Sequence, residues 1–410
     1  MFKNRRKNRQ GGTQKLNASL TKIEKVFEKM YHKKIYVGKS PMSEGTIKTY
    51  TDLTISLMRD VHNKYDVADI TKVKKEQVAE IFQERIDKYH DSNTNEASNL
   101  NSIASAITAF NLGVQETNIF KRELEFGDPR GMRDSLREQN VFRNSKASMT
   151  LRATPEESLK VIDNIKRSGY DTRTRTTAAA ISQIAFGTGG RISSILKLTP
   201  ADIEIDEKTN KIRFLKDKGG LTRSVEITDK DTMQFLKGLT DGKKPNERLF
   251  SFKRKDGTFL PVSEMRKSVT NIITAAGRGL ARTEKVRVKD RDGKYKYVSV
   301  QRKFTPHSFR KSFALQRCHE YLRKIPSDPK KLQEYVQQLK DSDAKLKSKI
   351  ETMEKRINAS RKTVRQLRHD EVAIFLVSVD LGHFRKDIVT SFYTTFSEVQ
   401  KYYDEVKKTP

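Results

Sequence analysis

Three short stretches of this chain hold residues able to act on a phosphate. In Phe186-Gly187-Thr188-Gly189-Gly190-Arg191 an apolar helical run ends in glycines, and an arginine opens the next helix. Such a guanidinium can fork onto two phosphate oxygens while nearby backbone amides point the same way. It can equally cap a helix or pair within the fold. His307 and Arg310 follow Pro306 at a spacing that puts both on one helix face. Leu381-Gly382-His383 precedes Thr390-Ser391-Phe392-Tyr393-Thr394. A histidine beside a phosphate can donate to a non-bridging oxygen, and a tyrosine hydroxyl can be a nucleophile. Taken singly, each fragment also has an ordinary structural reading, Tyr393 above all, as an aromatic on a helix surface.

The whole chain suits a polyanionic partner. Its 410 residues carry 83 Lys and Arg against 52 Asp and Glu, a formal net charge of +31. A surplus this large attracts a phosphate backbone and repels copies of itself. The length suggests two or three domains, and a hydrophobic share of 35% suffices for small cores. Cys318 is the single cysteine, which excludes an internal disulfide and a cysteine-based zinc site. No stretch approaches the roughly 18 apolar residues of a membrane span. The basic start, MFKNRRKNRQGG, lacks the apolar run of a secretion signal. A cytoplasmic, nucleoid-associated protein with no membrane partner is expected.

Several elements must position those residues. Residues 1–16 read as a basic arm for DNA phosphates, with Lys3, Arg5, Arg6, Lys7 and Arg9; a solubilising tail is the alternative. Apolar spacing predicts helices over 17–37, from Ser43 through Val61, over 74–89 and over 97–113, together a small bundle within 17–121. The polar stretch 122–153 reads as an interdomain linker or a loosely packed helix, and Thr154-Pro155-Glu156-Glu157 opens a new domain with a capping box. Alternation predicts a three-stranded antiparallel meander over 202–206, 211–216 and 223–227, inside an otherwise helical domain. A hairpin is expected over 285–300, turning at Asp292-Gly293. Its cations, with those just after it, make Arg287, Lys289, Lys294, Lys296, Arg302 and Lys303 candidate DNA contacts. Over 326–369, Leu332, Leu339, Leu346, Met353 and Leu367 recur at heptad spacing beside Val336, Ile350, Ile357 and Val364. That seam predicts one long coiled-coil helix or a helical hairpin.

The order of these features resembles the tyrosine recombinase (phage integrase) family: an arginine in a Thr-Gly-Gly-Arg turn, a meander with lysine at its second turn, His-x-x-Arg, Leu-Gly-His, then tyrosine. The likeness covers about 154–400, and the preceding bundle is similar to the family's core-binding domain, with Thr46-Ile47-Lys48-Thr49-Tyr50 in its opening helix. The resemblance implies a mainly α fold with a small antiparallel meander. It also implies site-specific cutting and rejoining of double-stranded DNA, with neither metal nor nucleotide cofactor, for integration or excision of a mobile element. Carried onto this sequence, Arg191 and Arg310 clamp the non-bridging oxygens and Lys218 protonates the departing 5′ oxygen. His307 and His383 assist proton transfer, and Tyr393 forms a 3′-phosphotyrosyl bond. A homotetramer on DNA, a dimer of dimers, is implied as well, with an accessory DNA-bending protein as a further partner.

Four departures stand out. Ser194 occupies a position where the family often has a glutamate that supports the first arginine. The interval from His383 to Tyr393 is one residue longer than the commonest. Lys216 is a second candidate for the lysine, and Tyr402 and Tyr403 for the nucleophile. Finally, Arg310 and His383 are 73 residues apart, the excess being the heptad segment, which is expected to protrude from the catalytic domain towards a neighbouring protomer or DNA. A type IB topoisomerase, a telomere resolvase and a non-cleaving DNA-binding regulator are the competing readings.

Overall fold

The computed structural model describes residues 13–407 apart from 39–40, 92–96, 123, 142–147, 206–209, 216, 218–221, 253, 255, 360–362 and 395. Two compact units divide the chain, Met1–Ala147 with Lys285–Val300, and Ser148–Glu284 with Gln301–Pro410. Both are mainly helical, and the described sheets are small and antiparallel. No helix among the described residues is long and apolar enough to cross a membrane.

The first unit is built on α1 (Gln14–His32), α2 (Glu44–Tyr65), α3 (Lys75–Asp91) and α4 (Ala97–Thr117). Thr13 caps α1, its hydroxyl accepting the Leu16 N–H, so the last residues of the supposed arm are helical and Leu16 is buried. Lys3, Arg5, Arg6, Lys7 and Arg9 lie outside the described residues. Leu20, Ile23, Val26, Phe27 and Met30 of α1 form one apolar stripe that buries against Ile47, Leu57, Met58, Ile81, Phe82, Ile103, Ile107 and Phe110.

Of the two readings of 122–153, linker or loosely packed helix, the described N-terminal part is helical, and it is packed into the core rather than loose. Leu124, Phe126, Met132, Leu136 and Val141 are buried in the same core. Helix α5 (Pro129–Glu138) starts at Asp128, whose carboxylate accepts the Arg130 N–H, with Pro129 in the first turn. Met132 and Leu136, one turn apart, supply a narrow apolar face on an otherwise charged helix, and that narrow face is why composition alone suggests a loop.

Strands β4 (Arg282–Lys289) and β5 (Tyr295–Arg302) form a hairpin. Residues 285–300 belong to the first unit. Arg291 pairs with Asp87, the Lys296 ammonium donates to the His90 carbonyl at 3.2 Å, and Asn140 donates to the Arg291 carbonyl at 2.8 Å.

The second unit begins with Leu151 and Ala153 in its core, followed by α6 (Pro155–Lys166), which the Thr154 capping box opens. Helix α7 (Thr172–Thr188) ends at Gly189, and the single turn α8 (Ile192–Ile195) follows Arg191. Strands β1 (Ile203–Ile205), β2 (Asn210–Phe214) and β3 (Arg223–Glu226) make the meander, with Ile203 opposite Ile212, Ile212 opposite Val225 and Phe214 opposite Arg223. Ile212, Phe214 and Val225 face the core with period two, and Arg223 takes an inward position in the same row. Helices α9 (Lys230–Thr240), α10 (Val262–Ala276) and α11 (Pro306–Lys324) complete the shell around α7, and α14 (His369–Asp380) lies against α11.

The heptad segment is two helices, α12 (Pro329–Ser342) and α13 (Ala344–Asn358), broken at Asp343. Asp343 has an extended backbone and caps α13 by accepting the Leu346 N–H at 2.8 Å, so one continuous coil is excluded. Leu332, Val336, Ile350, Met353 and Leu367 join the second unit's own core rather than a coiled-coil partner. The apolar seam therefore docks on its own unit, contrary to the expected protrusion. Lys340 pairs with Glu354 across the corner at 2.9 Å.

Two measurements test this packing. Phe126 is fully buried with its ring 5.8 Å from that of Phe110. Phe126→Ala is expected to cost the first unit about 3–5 kcal/mol in urea unfolding of the whole chain; a loss well under that range would return the segment to a linker. Lys311 is buried and donates to the Thr150 carbonyl at 2.8 Å. Burial, with Arg152 and Arg302 nearby, pushes its ammonium down to about 7 from 10.5. Between those values the unfolded chain binds more protons, so stability should rise with pH. Stability measured across that window should climb for the wild type relative to Lys311→Met; parallel curves would refute it.

Candidate active site

Arg310 lies at the centre of the site, 1% exposed at the start of the second turn of α11. Its guanidinium donates to the Gly189 carbonyl, to the Leu381 carbonyl and, through Nε at 3.1 Å, to the Tyr393 hydroxyl. Burial and Arg191 pull it below its ordinary value, while Tyr393 and Asp217 act in the opposite sense. Gly189 must be glycine here: its φ is +58°, and a Cβ would meet the Phe313 ring at 2.5 Å.

The Leu-Gly-His turn is the C-terminal cap of α14. The Gly382 N–H reaches the Val379 carbonyl at 2.8 Å and the His383 N–H the Ser378 carbonyl at 2.8 Å, with Gly382 at φ +71°. This turn aims the imidazole so that His383 Nε2 lies 2.9 Å from the Tyr393 hydroxyl oxygen. With Arg310 donating to that oxygen, the phenol proton faces His383 in the tautomer whose Nε2 accepts; the tautomer is assigned from the network. The His307 ring, on the same helix face as Arg310, has its centroid 5.3 Å from the Tyr393 ring. Burial, then Arg310, Lys311 and Arg191, push His307 down to about 3. The residue as a whole is exposed, so the three cations, more than burial, set that direction. His307 is neutral near pH 7.

Tyr393 is 4% exposed. It closes a π-helical turn, Val389–Tyr393, that comes after the short turn α15 (Lys386–Ile388) and is shut by the Thr394 N–H on the Val389 carbonyl at 3.0 Å. A π-turn holds one residue more than an α-turn. The extra residue between His383 and Tyr393 is absorbed there, and the hydroxyl still meets the histidine. Arg152 fastens this segment, donating to the Ser391 carbonyl at 3.3 Å and pairing at 3.4 Å with Glu398 of α16 (Phe396–Lys407).

Arg191 stands before α8 with its side chain 22% exposed and its Nη1 on Asp217. It lines a cleft of about 410 Å³ together with Ser193, Arg266, Thr270, His307 and Arg310. Lys218 and its alternative Lys216 lie outside the described residues, as do the side chains of Tyr402 and Tyr403.

Three residues of this region carry no role that the sequence alone assigns. Arg223 is 5% exposed and donates to Asp217, to the Asp380 carbonyl and to the Gly189 carbonyl at 3.3 Å. Burial, then Arg310, push it down to about 9, with Asp217 opposing. Its available signal is an arginine at an inward strand position. Asp217, in the connection after β2, joins Arg191 to Arg223, and Arg266 on α10 faces the cleft; neither has a local signal in the sequence.

Among the candidate DNA contacts, Arg302 is corrected. It is 3% exposed, pairs with Glu284 at 2.5 Å and donates to the Ser148 carbonyl at 2.7 Å, so it is a structural cation. Lys296 is exposed but tied to the His90 carbonyl. Arg287 stacks on the exposed Tyr295 with 3.8 Å from guanidinium carbon to ring centroid, and Lys289 lies 5.7 Å from the same ring. Lys294 and Lys303 are both exposed.

Residues 152–335 match the model of the Phage integrase family. No curated protein matches the sequence. Solved structures that the chain resembles include the XerH site-specific recombinase bound to palindromic difH substrate in a post-cleavage complex, at 13% identity, 96% coverage of each chain and a TM-score of 0.49. The XerA recombinase is similar at 15% identity, covering 96% of this chain and 100% of that one, with a TM-score of 0.34. The Tn1549 transposon integrase in complex with circular intermediate DNA is similar at 13% identity, 93% and 98% coverage and a TM-score of 0.42. It is the sequence match that carries weight here: residues 152–335 form a domain that matches the phage integrase family.

Proposed function

We propose that the chain is a site-specific DNA recombinase that cuts and rejoins duplex DNA through a 3′-phosphotyrosyl bond at Tyr393. The observation that carries this reading is the Tyr393 hydroxyl held between Arg310 Nε at 3.1 Å and His383 Nε2 at 2.9 Å in one chain. A nucleophile, a candidate base and a fixed cation thereby meet at one oxygen. All three belong to the same chain, which favours delivery of the tyrosine in cis.

In the reaction, the Tyr393 oxygen attacks the scissile phosphorus and its proton passes to His383. The 5′ oxygen leaves with a proton from Lys218. Arg191 and Arg310 stabilise the charge that develops on the non-bridging oxygens, and His307, neutral near pH 7, donates a hydrogen bond to them. The phosphotyrosyl bond keeps the energy of the phosphodiester, so a 5′ hydroxyl can reverse the step without nucleotide hydrolysis. Strand exchange between two duplexes calls for a tetramer acting as a dimer of dimers, aided by a DNA-bending partner. Integration or excision of a mobile element is the use that such chemistry serves. The surplus of +31 supports the DNA partner, and such a protein works in the cytoplasm on the nucleoid.

The test is covalent trapping. Nicked duplex fragments of the DNA surrounding the chain's own coding sequence are incubated with the full protein, and adducts are resolved under denaturing conditions. The wild type is expected to form an adduct whose peptide, by mass spectrometry, contains Tyr393. Tyr393→Phe is expected to bind the same fragments and form none. An adduct that persists in Tyr393→Phe moves the nucleophile to Tyr402 or Tyr403, and no adduct from the wild type leaves a non-cleaving DNA binder. Affinity for the fragments should also fall by roughly 10³-fold or more between about 50 and 200 mM salt; a flat response would remove the phosphate backbone as the main contact.

A further inference from the structure

The geometry points to Asp217 as the positioning residue for Arg191, a carboxylate that has taken over from the strand connection the task a glutamate at position 194 performs in related recombinases. The inference rests on the recombinase reading and deepens it.

Arg191, Arg223 and Arg310 lie close enough for each arginine's charge to press on the others. Arg310 is satisfied mainly by carbonyls, which accept hydrogen bonds without cancelling charge. Asp217 supplies a negative charge: its Oδ2 takes Nη1 of Arg191 and, at 3.2 Å, Nε of Arg223. Its Oδ1 takes the Ser194 hydroxyl at 2.8 Å. The carboxylate is 4% exposed, so these bonds form away from competing water.

The serine bond explains the exchange. A glutamate at position 194, on the turn just after Arg191, would bring its own carboxylate to the guanidinium. In this chain a short hydroxyl stands there, and it spends its hydrogen on the incoming carboxylate from the far side. Arg191 is gripped at one nitrogen while its side chain still borders the cleft. A bidentate donor held at one end presents its remaining N–H groups in a fixed direction, as phosphate recognition requires. Asp217 also directly precedes Lys218, the proposed acid, in the chain.

The experiment uses the full chain, the nicked fragments above and three variants: Asp217→Ser, Ser194→Glu, and the double variant Ser194→Glu/Asp217→Ser. Adduct formation by Asp217→Ser is expected to slow about 100-fold, the scale of a misplaced catalytic group, with DNA affinity unchanged. The double variant should recover most of that rate by restoring the carboxylate from the other side, a rescue that a purely structural role would not give. Should Asp217→Ser fail to fold, the order of the other two decides: Ser194→Glu alone crowds two carboxylates and must be slower than the double variant. Wild-type speed in Asp217→Ser overturns the inference. So does a folded double variant that stays as slow as Asp217→Ser, or the reverse order of Ser194→Glu and the double variant. If the wild type itself forms no adduct, it is the recombinase reading that fails.

Discussion

The second unit is arranged around a buried positive charge that no carboxylate among the described residues is shown to bond directly. Arg310 has almost no exposure, yet two of its three described bonds go to main-chain carbonyls. Both carbonyls stand at helix ends, Gly189 after α7 and Leu381 after α14, where the unpaired C=O groups and the negative pole of the helix dipole gather. Two helix ends thus hold one guanidinium in place without cancelling its charge. Gly189 and Gly382, both at positive φ, belong to the turns that bring the two carbonyls to one point. Arg317, two turns further along the same face of α11, shows the contrasting solution. It is paired with Asp380 at 2.8 Å and Glu320 at 2.7 Å, which raise its affinity for the proton and leave it structural.

Much of this is readable in the sequence because the chemistry falls at element boundaries. Gly189, Gly190 and Arg191 announce a helix end and a helix start; Pro306 announces the helix that carries His307 and Arg310; Gly382 announces the turn that aims His383. Such boundaries have residue-type signals. The residues that join them are less legible. Asp217 is one acid among many in a charged chain, and its partners are 26 and 6 residues away. Arg223 is readable in principle, since strand alternation puts it in an inward row with Val225, where an arginine requires partners.

The misread segments share a cause. Helix α5 has just Met132 and Leu136 to bury, too few apolar residues to stand out from the charged residues around them. The heptad seam over 326–369 is a true apolar stripe, but periodicity does not say what the stripe faces. Asp343, which interrupts one of its two series, is the cap at which the chain bends, and the stripe then closes on its own unit. Arg302 continues a basic run along a strand, and only the fold shows that β5 turns it inward onto Glu284.

The wide turn before Thr394 bears on how the tyrosine gets its address. Each residue added to a helix rotates the remainder of the chain by about 100°, so an extra residue in regular α geometry would swing the phenol round to another side of the axis. Looping that residue into the turn cancels the rotation and returns the oxygen to its neighbours. The reach of the side chain is therefore set by how many residues the backbone stores, not by which residues they are. A chain shorter by one there would arrive at the same two nitrogens with an unbroken spiral.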